Sequence, residues 1–321
     1  MRRKLVPPGR RNEVKPLPIR LVRRGAMNAS MQRIAGLGLG FLVIAALSGV
    51  QGRAEAAEVR RVSERLVPFA AGGQIRIEDK NGRITVEGWP RNEVRIQITR
   101  SVRAEDKAKA EDLMKELRAD VEVRDGRIDI VSRFPKRRET IGIWDILGRK
   151  VAALQINYFV QVPNETSLTL ATSNGEVRVH GVRGPLEANT TNGDIRVGDV
   201  HGGVTLLTTN GEIELTGIAG DATARTTNGS VVAEVRSVPP GRGIELTITN
   251  GNVETYFPND LRATLDAVTT NGRVSIAYPI TSHGVMTSKS IRGTINGGGA
   301  KISLTTTNGN VEVRRQSERR P

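Results

Sequence analysis

Three histidines, a handful of spaced carboxylates and no cysteine are what this chain offers to chemistry. Without cysteine there is no disulfide, no thiol nucleophile and no thiolate metal site. His180 and His201 fall near one edge of neighbouring repeats, and His283 stands apart. Two histidines without a companion carboxylate pattern read as surface polarity before they read as a metal site. Glu176, Asp194 and Glu212 follow successive turns, and stacked carboxylates can hold calcium. That column continues as Ser230, Asn252, Arg273 and Asn310, however, and the Gly-Gly-x-Gly-x-Asp calcium repeat is absent. Asp199 and Asp221 come nearest to two carboxylates lying one above the other, as a polysaccharide-cleaving solenoid requires. The chain has no serine nucleophile elbow, phosphate loop or paired metal motif. No cofactor is expected.

These residues sit on a repeat. Asn-Gly pairs begin at Asn174, Asn192, Asn210 and Asn228, each 18 residues apart, and continue at Asn250, Asn271 and Asn308; Asn81 stands alone upstream. Six and four residues before each Asn are apolar pairs such as Leu168/Leu170, Val204/Leu206 and Ile302/Leu304. Three and five residues after it are pairs such as Val177/Val179, Ile213/Leu215 and Val311/Val313. Asn81 obeys the same frame with Ile75/Ile77 and Ile84/Val86, whereas Asn296 does not and reads as a loop residue.

Period-two alternation on both sides of a turn means two short half-buried strands. The near-fixed period predicts a coil whose turns stack one on the next. Asn-Gly is expected to supply positive φ at the corner. Thr172, Thr190, Thr208, Thr226, Thr269 and Thr306, two places before the Asn, should point inward, and the asparagines should form a ladder. Gly184, Gly202 and Gly220 mark a second corner. Val238-Pro239-Pro240-Gly241 extends one rung, and the 37 residues between Asn271 and Asn308 are expected to hide another with a Gly-rich excursion, Gly293 to Gly299.

Residues 58–162 are less regular. Strands are expected at Gln74–Glu78, Arg83–Glu87, Val94–Ser101, Val121–Arg124, Arg127–Ser132 and Ile156–Val162, with one helix from Ala104 to Ala119 presenting Ala108, Leu113, Met114 and Leu117 on one face. The segment is placed to cap the first rung. Phe134 to Lys150 reads as a basic loop carrying Ile143, Trp144 and Ile146; a loop tryptophan tucked against the cap is the favoured account, and a membrane-surface or partner contact is the alternative.

Ile34 to Val50 is apolar, Arg33 precedes it and Ala54-Glu55-Ala56 follows. This is the pattern of a cleaved secretory signal; an uncleaved anchor over 34–50 is the alternative. The Arg/Pro-rich residues before it point to a start at Met27 or Met31, or to a long basic extension. Residues 1–57 hold eleven basic and two acidic residues, leaving 37 basic and 32 acidic in the rest. Most of the net charge of +14 thus precedes the repeat, and no basic stripe with interleaved aromatics remains for nucleic acid.

Val162-Pro163, Leu168-Thr169-Leu170, Ser173-Asn174-Gly175-Glu176-Val177 and the Thr-Thr-Asn-Gly-Asp/Glu-Ile rungs resemble a widespread bacterial family of domains of unknown function labelled "putative adhesin". The resemblance covers roughly Gln74 to Val313. It implies a fold and brings no catalytic residues; some members are linked to envelope-stress sensing. The expected fold is all-β, a β-solenoid of ~18-residue Asn-Gly rungs with an N-terminal α+β cap. Its parts are a basic extension or mis-assigned start at 1–26, a signal peptide at 27–57, the cap at 58–162, the solenoid at 163–313 and a disordered tail at 314–321. The expected role is a non-enzymatic, adhesin-like or structural one in the periplasm or at the cell surface. An envelope glycan, a membrane surface or another envelope protein are the partner classes left open. A polysaccharide-active enzyme using Asp199 or Asp221, a self-assembling scaffold and an envelope-stress component are the alternatives.

Overall fold

The computed structural model describes residues 42–44, 56–135, 153–239, 241–282 and 284–319. The extension at 1–26, most of the leader at 27–57, the loop from 136 to 150 with Trp144, and His283 lie outside them. Leu42–Ile44, inside the expected leader, pair antiparallel with Val62–Glu64.

The chain is mostly β, arranged as two twelve-stranded sheets around one apolar core. Each rung places the strand before its Asn-Gly in one sheet and the strand after it in the other. Val204–Asn210 and Ile213–Ala219 are one such pair. The strands that follow the turns make the first sheet and those that precede them the second. Neighbouring rungs pair parallel in register, with Val204 beside Ala222, Leu206 beside Ala224, Thr208 beside Thr226 and Asn210 beside Asn228. A one-residue slip would turn every apolar side chain outward, so the alternation itself pins this register.

The corner works differently from the expectation. Among the described residues only Asp199 and Asn296 are non-glycine residues with positive φ, so the turn asparagines are not left-handed. Glycine follows them because successive corners touch: a Cβ on Gly211 would overlap the carbonyl oxygen of Gly193. The asparagine side chains form a ladder from Asn174 through Asn192, Asn210, Asn228, Asn250 and Asn308 to Asn271. Each Nδ2 donates to the preceding Oδ1 at 2.7–2.9 Å. Asn81 shares the backbone bridge to Asn174 but donates its Nδ2 to Leu154 O at 2.5 Å. Beneath the ladder the inward threonines are buried. Thr190, Thr208, Thr226, Thr306 and Thr269 donate to the glycine carbonyl of the adjacent corner at 2.7–3.2 Å.

Stacking order departs from chain order at both ends. The Asn81 strands bond directly to those of Asn174, so residue 162 is no boundary between cap and stack. Outside them lie Arg127–Arg133 in the second sheet and Ala153–Pro163 in the first, each paired parallel with an Asn81 strand. At the other end the Asn308 rung inserts between Asn250 and Asn271. Among the described residues no further parallel rung fills the long spacing; Ser290–Ile295 instead returns antiparallel along Ala263–Val268.

The N-terminal end is closed by a strand missed in the sequence, Ala57–Pro68, paired along its length with Glu93–Ala104. Its alternation is blurred because most of its residues are only half-buried. The helix is shorter than expected, Lys107–Glu116, capped by Asp106, whose side chain accepts from Lys109 N at 2.7 Å. Its buried face is Ala110, Met114 and Leu117, spaced by four and three residues. Ala108 points to solvent because it is displaced about 200° from Ala110 around the helix.

The tail is ordered through Arg319. Gln316 Nε2 donates to Val235 O at 3.0 Å, Arg319 pairs with Glu234 and with Glu214 at 3.6 Å, and its guanidinium lies over Tyr256.

Two predictions follow from the stacking. Gly211→Ala should destabilise by more than about 3 kcal/mol in chemical denaturation. Gly203→Ala, whose Cβ meets nothing within 4 Å, should change stability by less than about 0.5 kcal/mol; equal effects would contradict the close-contact account. Ending the chain at Gly299 removes an internal rung, between those of Asn250 and Asn271, not a terminal one, and should abolish the cooperative melt. A sharp transition near that of the parent would contradict the inserted order.

Candidate functional site

The outer face of the first sheet carries Glu176, Arg178, His180, Asp194, Arg196, Asp199 and Glu214. Its groove, of about 400 Å³, is floored by Gly198. A Cβ on Gly198 would sit 2.7 Å from His180 Nδ1, so the imidazole lies over this glycine. His180 Nε2 is 3.5 Å from Asp199 Oδ2, and Asp199 Oδ1 accepts from Arg236 at 2.8 Å. Asp199 is left-handed at φ 50°, a conformation aspartate tolerates better than most residues. His201 does not line this groove and is exposed at the second corner.

The acidic column after the turns is occupied by the protein itself. Glu176 meets Arg83 at 3.0 Å, Arg178 at 2.6 Å and also Arg196. Arg196 is shared with Asp194 and Glu214 at 3.0 and 3.6 Å. Asp194 Oδ1 accepts from Glu212 N at 3.0 Å. Ser230, Asn252 and Asn310 accept from the next rung's backbone N–H in the same way. Short acceptors at Asp194, Ser230, Asn252 and Asn310 thus tie one rung's corner to the next, whereas Glu176, Glu212 and Arg273 in the same column do not make this bond. Among the described residues no three His, Asp or Glu converge as a metal site would need.

Asp221 lies at the second corner, one residue before Ala222–Asn228 of the other sheet. It lines a trough of about 620 Å³ with Ser167, Thr169, Glu187, Thr205 and Thr223. Its oxygens accept from Arg242 at 2.5 Å and Gly243 N at 2.7 Å. Burial pushes its carboxyl up, but these two donors outweigh it and hold the group below its usual range. Asp199 and Asp221 thus line separate grooves on opposite sheets, and the expected superposition is not found. Asp199 follows Ile195–Gly198 of one sheet and Asp221 precedes Ala222–Asn228 of the other, so the second corner separates them.

One polar cluster escaped the sequence reading. Asp79 Oδ1 accepts from Ser132 Oγ at 2.5 Å, and Ser132 Oγ is 2.6 Å from Tyr158 Oη. Asp79 occupies the place two residues before Asn81 where other rungs carry the inward threonine, and the repeat frame would have flagged it. Asp79 Oδ2 and Thr172 Oγ1, buried on adjacent rungs, have no hydrogen-bond partner among the described residues.

Burial pushes the Asp79 carboxyl above 3.8, against hydrogen bonds that favour its charged form. The folded state then holds this proton more tightly than the unfolded chain. Stability is lost as pH rises from the ordinary carboxyl range through the raised value, and the loss is complete above it. Asp79→Asn should therefore flatten the decline in denaturation midpoint as pH rises above the ordinary carboxyl range. Identical slopes for parent and variant would refute a raised Asp79.

No curated protein matches the chain. Among solved structures, a "putative cell adhesion protein" from Clostridium sporogenes is 11% identical, with 82% of this chain and 100% of that one covered at a TM-score of 0.33. A "putative adhesin" from Bacteroides fragilis is 10% identical, covering 79% and 96% at 0.35. A "putative lipid binding protein" from Parabacteroides distasonis is 12% identical, covering 79% and 96% at 0.29. These likenesses are too distant to carry a function to this chain. The family is another matter, because its model spans the Asn-Gly rungs and the strands that cap them: with residues 63–314 matched, the chain belongs to the Toastrack DUF4097 family.

Proposed function

We propose that this is an exported, non-catalytic envelope protein whose rigid stack presents a binding face. The observation that carries the reading is the fate of the candidate catalytic groups. Asp199 and Asp221 line grooves on opposite sheets, each held by its own arginine, and Glu176 is surrounded by three. A glycosidase needs two carboxyl groups facing one bond, and these are neither paired nor free. Export rests on the basic, apolar and small-residue succession from Arg33 to Ala56.

Open self-assembly is the weaker reading. The edge strand Arg118–Arg124 sets charged Arg118, Asp120, Glu122 and Arg124 along its length; the opposite edge of that sheet, Thr281–Ser282, is two residues long, and Val274–Ile276, at an edge of the other sheet, is three. Charge and shortness both blunt strand addition.

Purified protein should co-sediment with isolated cell envelopes at low and at high salt. Binding lost in salt would replace specific recognition with weak electrostatics; absence of binding at both would overturn the envelope-binding reading.

A further inference from the structure

The two outer faces differ in what they leave unused. On the first sheet arginines and carboxylates neutralise one another from Arg83 to Arg319. On the second sheet the outward positions are mainly hydroxyls. Thr169, Thr205, Thr209, Thr223 and Thr227 form no hydrogen bond through their side chains to any described residue. Parallel pairing lines them up across rungs, with Thr169, Glu187, Thr205 and Thr223 consecutive in one row. This row is the wall of the 620 Å³ trough. Leu207, 37% exposed, lies two residues along the strand from Thr205.

We infer that this face binds an uncharged polysaccharide chain laid across the rungs, an inference that rests on the binding role proposed above. The charges decide the ligand class. The basic residues at the trough, Arg76 and Arg127, are engaged by Glu78 and Asp129, so no free cation waits for an acidic polymer. Glu187 is exposed, and its only partner among the described residues is the Asn189 amide at 3.3 Å. An unpaired carboxylate accepts hydrogen bonds from sugar hydroxyls and repels anionic chains. Leu207 supplies an apolar contact for a sugar ring. The hydroxyls are fixed on a stiff ladder at a spacing of about 4.8 Å between rungs, so little ordering opposes binding of an extended chain.

The test is retention of the full-length protein on insoluble cellulose, chitin and cross-linked dextran, with alginate gel as the acidic comparison, at low and high salt. Retention on at least one neutral polymer is expected, unchanged by salt and absent on alginate. Thr205→Arg and Thr223→Arg should each weaken it about tenfold, Glu187→Gln should weaken it less, and Thr216→Arg on the opposite face should leave it intact. Melting curves matching the parent would confirm that the variants fold. Envelope binding without retention on any neutral polymer would overturn this inference while sparing the general reading; failure on envelopes and polymers alike would overturn both. Retention lost with Thr216→Arg and kept with Thr205→Arg and Thr223→Arg would assign binding to the wrong face and also overturn it.

Discussion

The structure depends on how closely one Asn-Gly corner can approach the next. Glycine carbonyls stack where a Cβ would overlap them, and this contact sets the distance at which every parallel ladder bond forms. The asparagine ladder then satisfies the polar groups the corner exposes. The threonines below it tie each corner to its neighbour through a glycine carbonyl. Buried hydroxyls need such partners, and a periodic acceptor supplies one per rung. Asparagine, glycine and threonine therefore recur for one reason, and it is mechanical.

A stack with this spacing has two exposed ends, and the chain closes them by unequal means. At one end the long antiparallel pair Ala57–Pro68 and Glu93–Ala104 and a short helix cover the core, with Met114 and Leu117 inside it. At the other the Asn308 rung slides between its predecessors, so that the C-terminal segment is held by parallel strands on both sides. Arg319 and Gln316 then fasten the tail to the outer face. Single exposed ion pairs contribute little, but here a network runs continuously across the first sheet and leaves its charges spent. Function is more naturally sought on the second sheet, whose hydroxyls are ordered and unengaged.

What the sequence determined by itself was the rung. Period-two alternation is local, so Val204, Leu206, Ile213 and Leu215 declared their direction without any partner, and all four are buried. The helix was legible for the same reason, although its length was not. Ala104 and Arg118–Ala119 were taken by strands, where ladder bonds outweigh a weak helical preference. Tertiary structure alone decided which rung lies beside which. All rungs share one frame, so any could pair with any other, and the alternation cannot tell that Asn308 belongs between Asn250 and Asn271. It likewise brought Asp79, just past Gln74–Glu78, together with Ser132 and Tyr158 of two other strands and sent Asp199 and Asp221 to opposite faces. Residues distant along the chain meet through register and corner geometry, and neither is written in the composition of a single repeat.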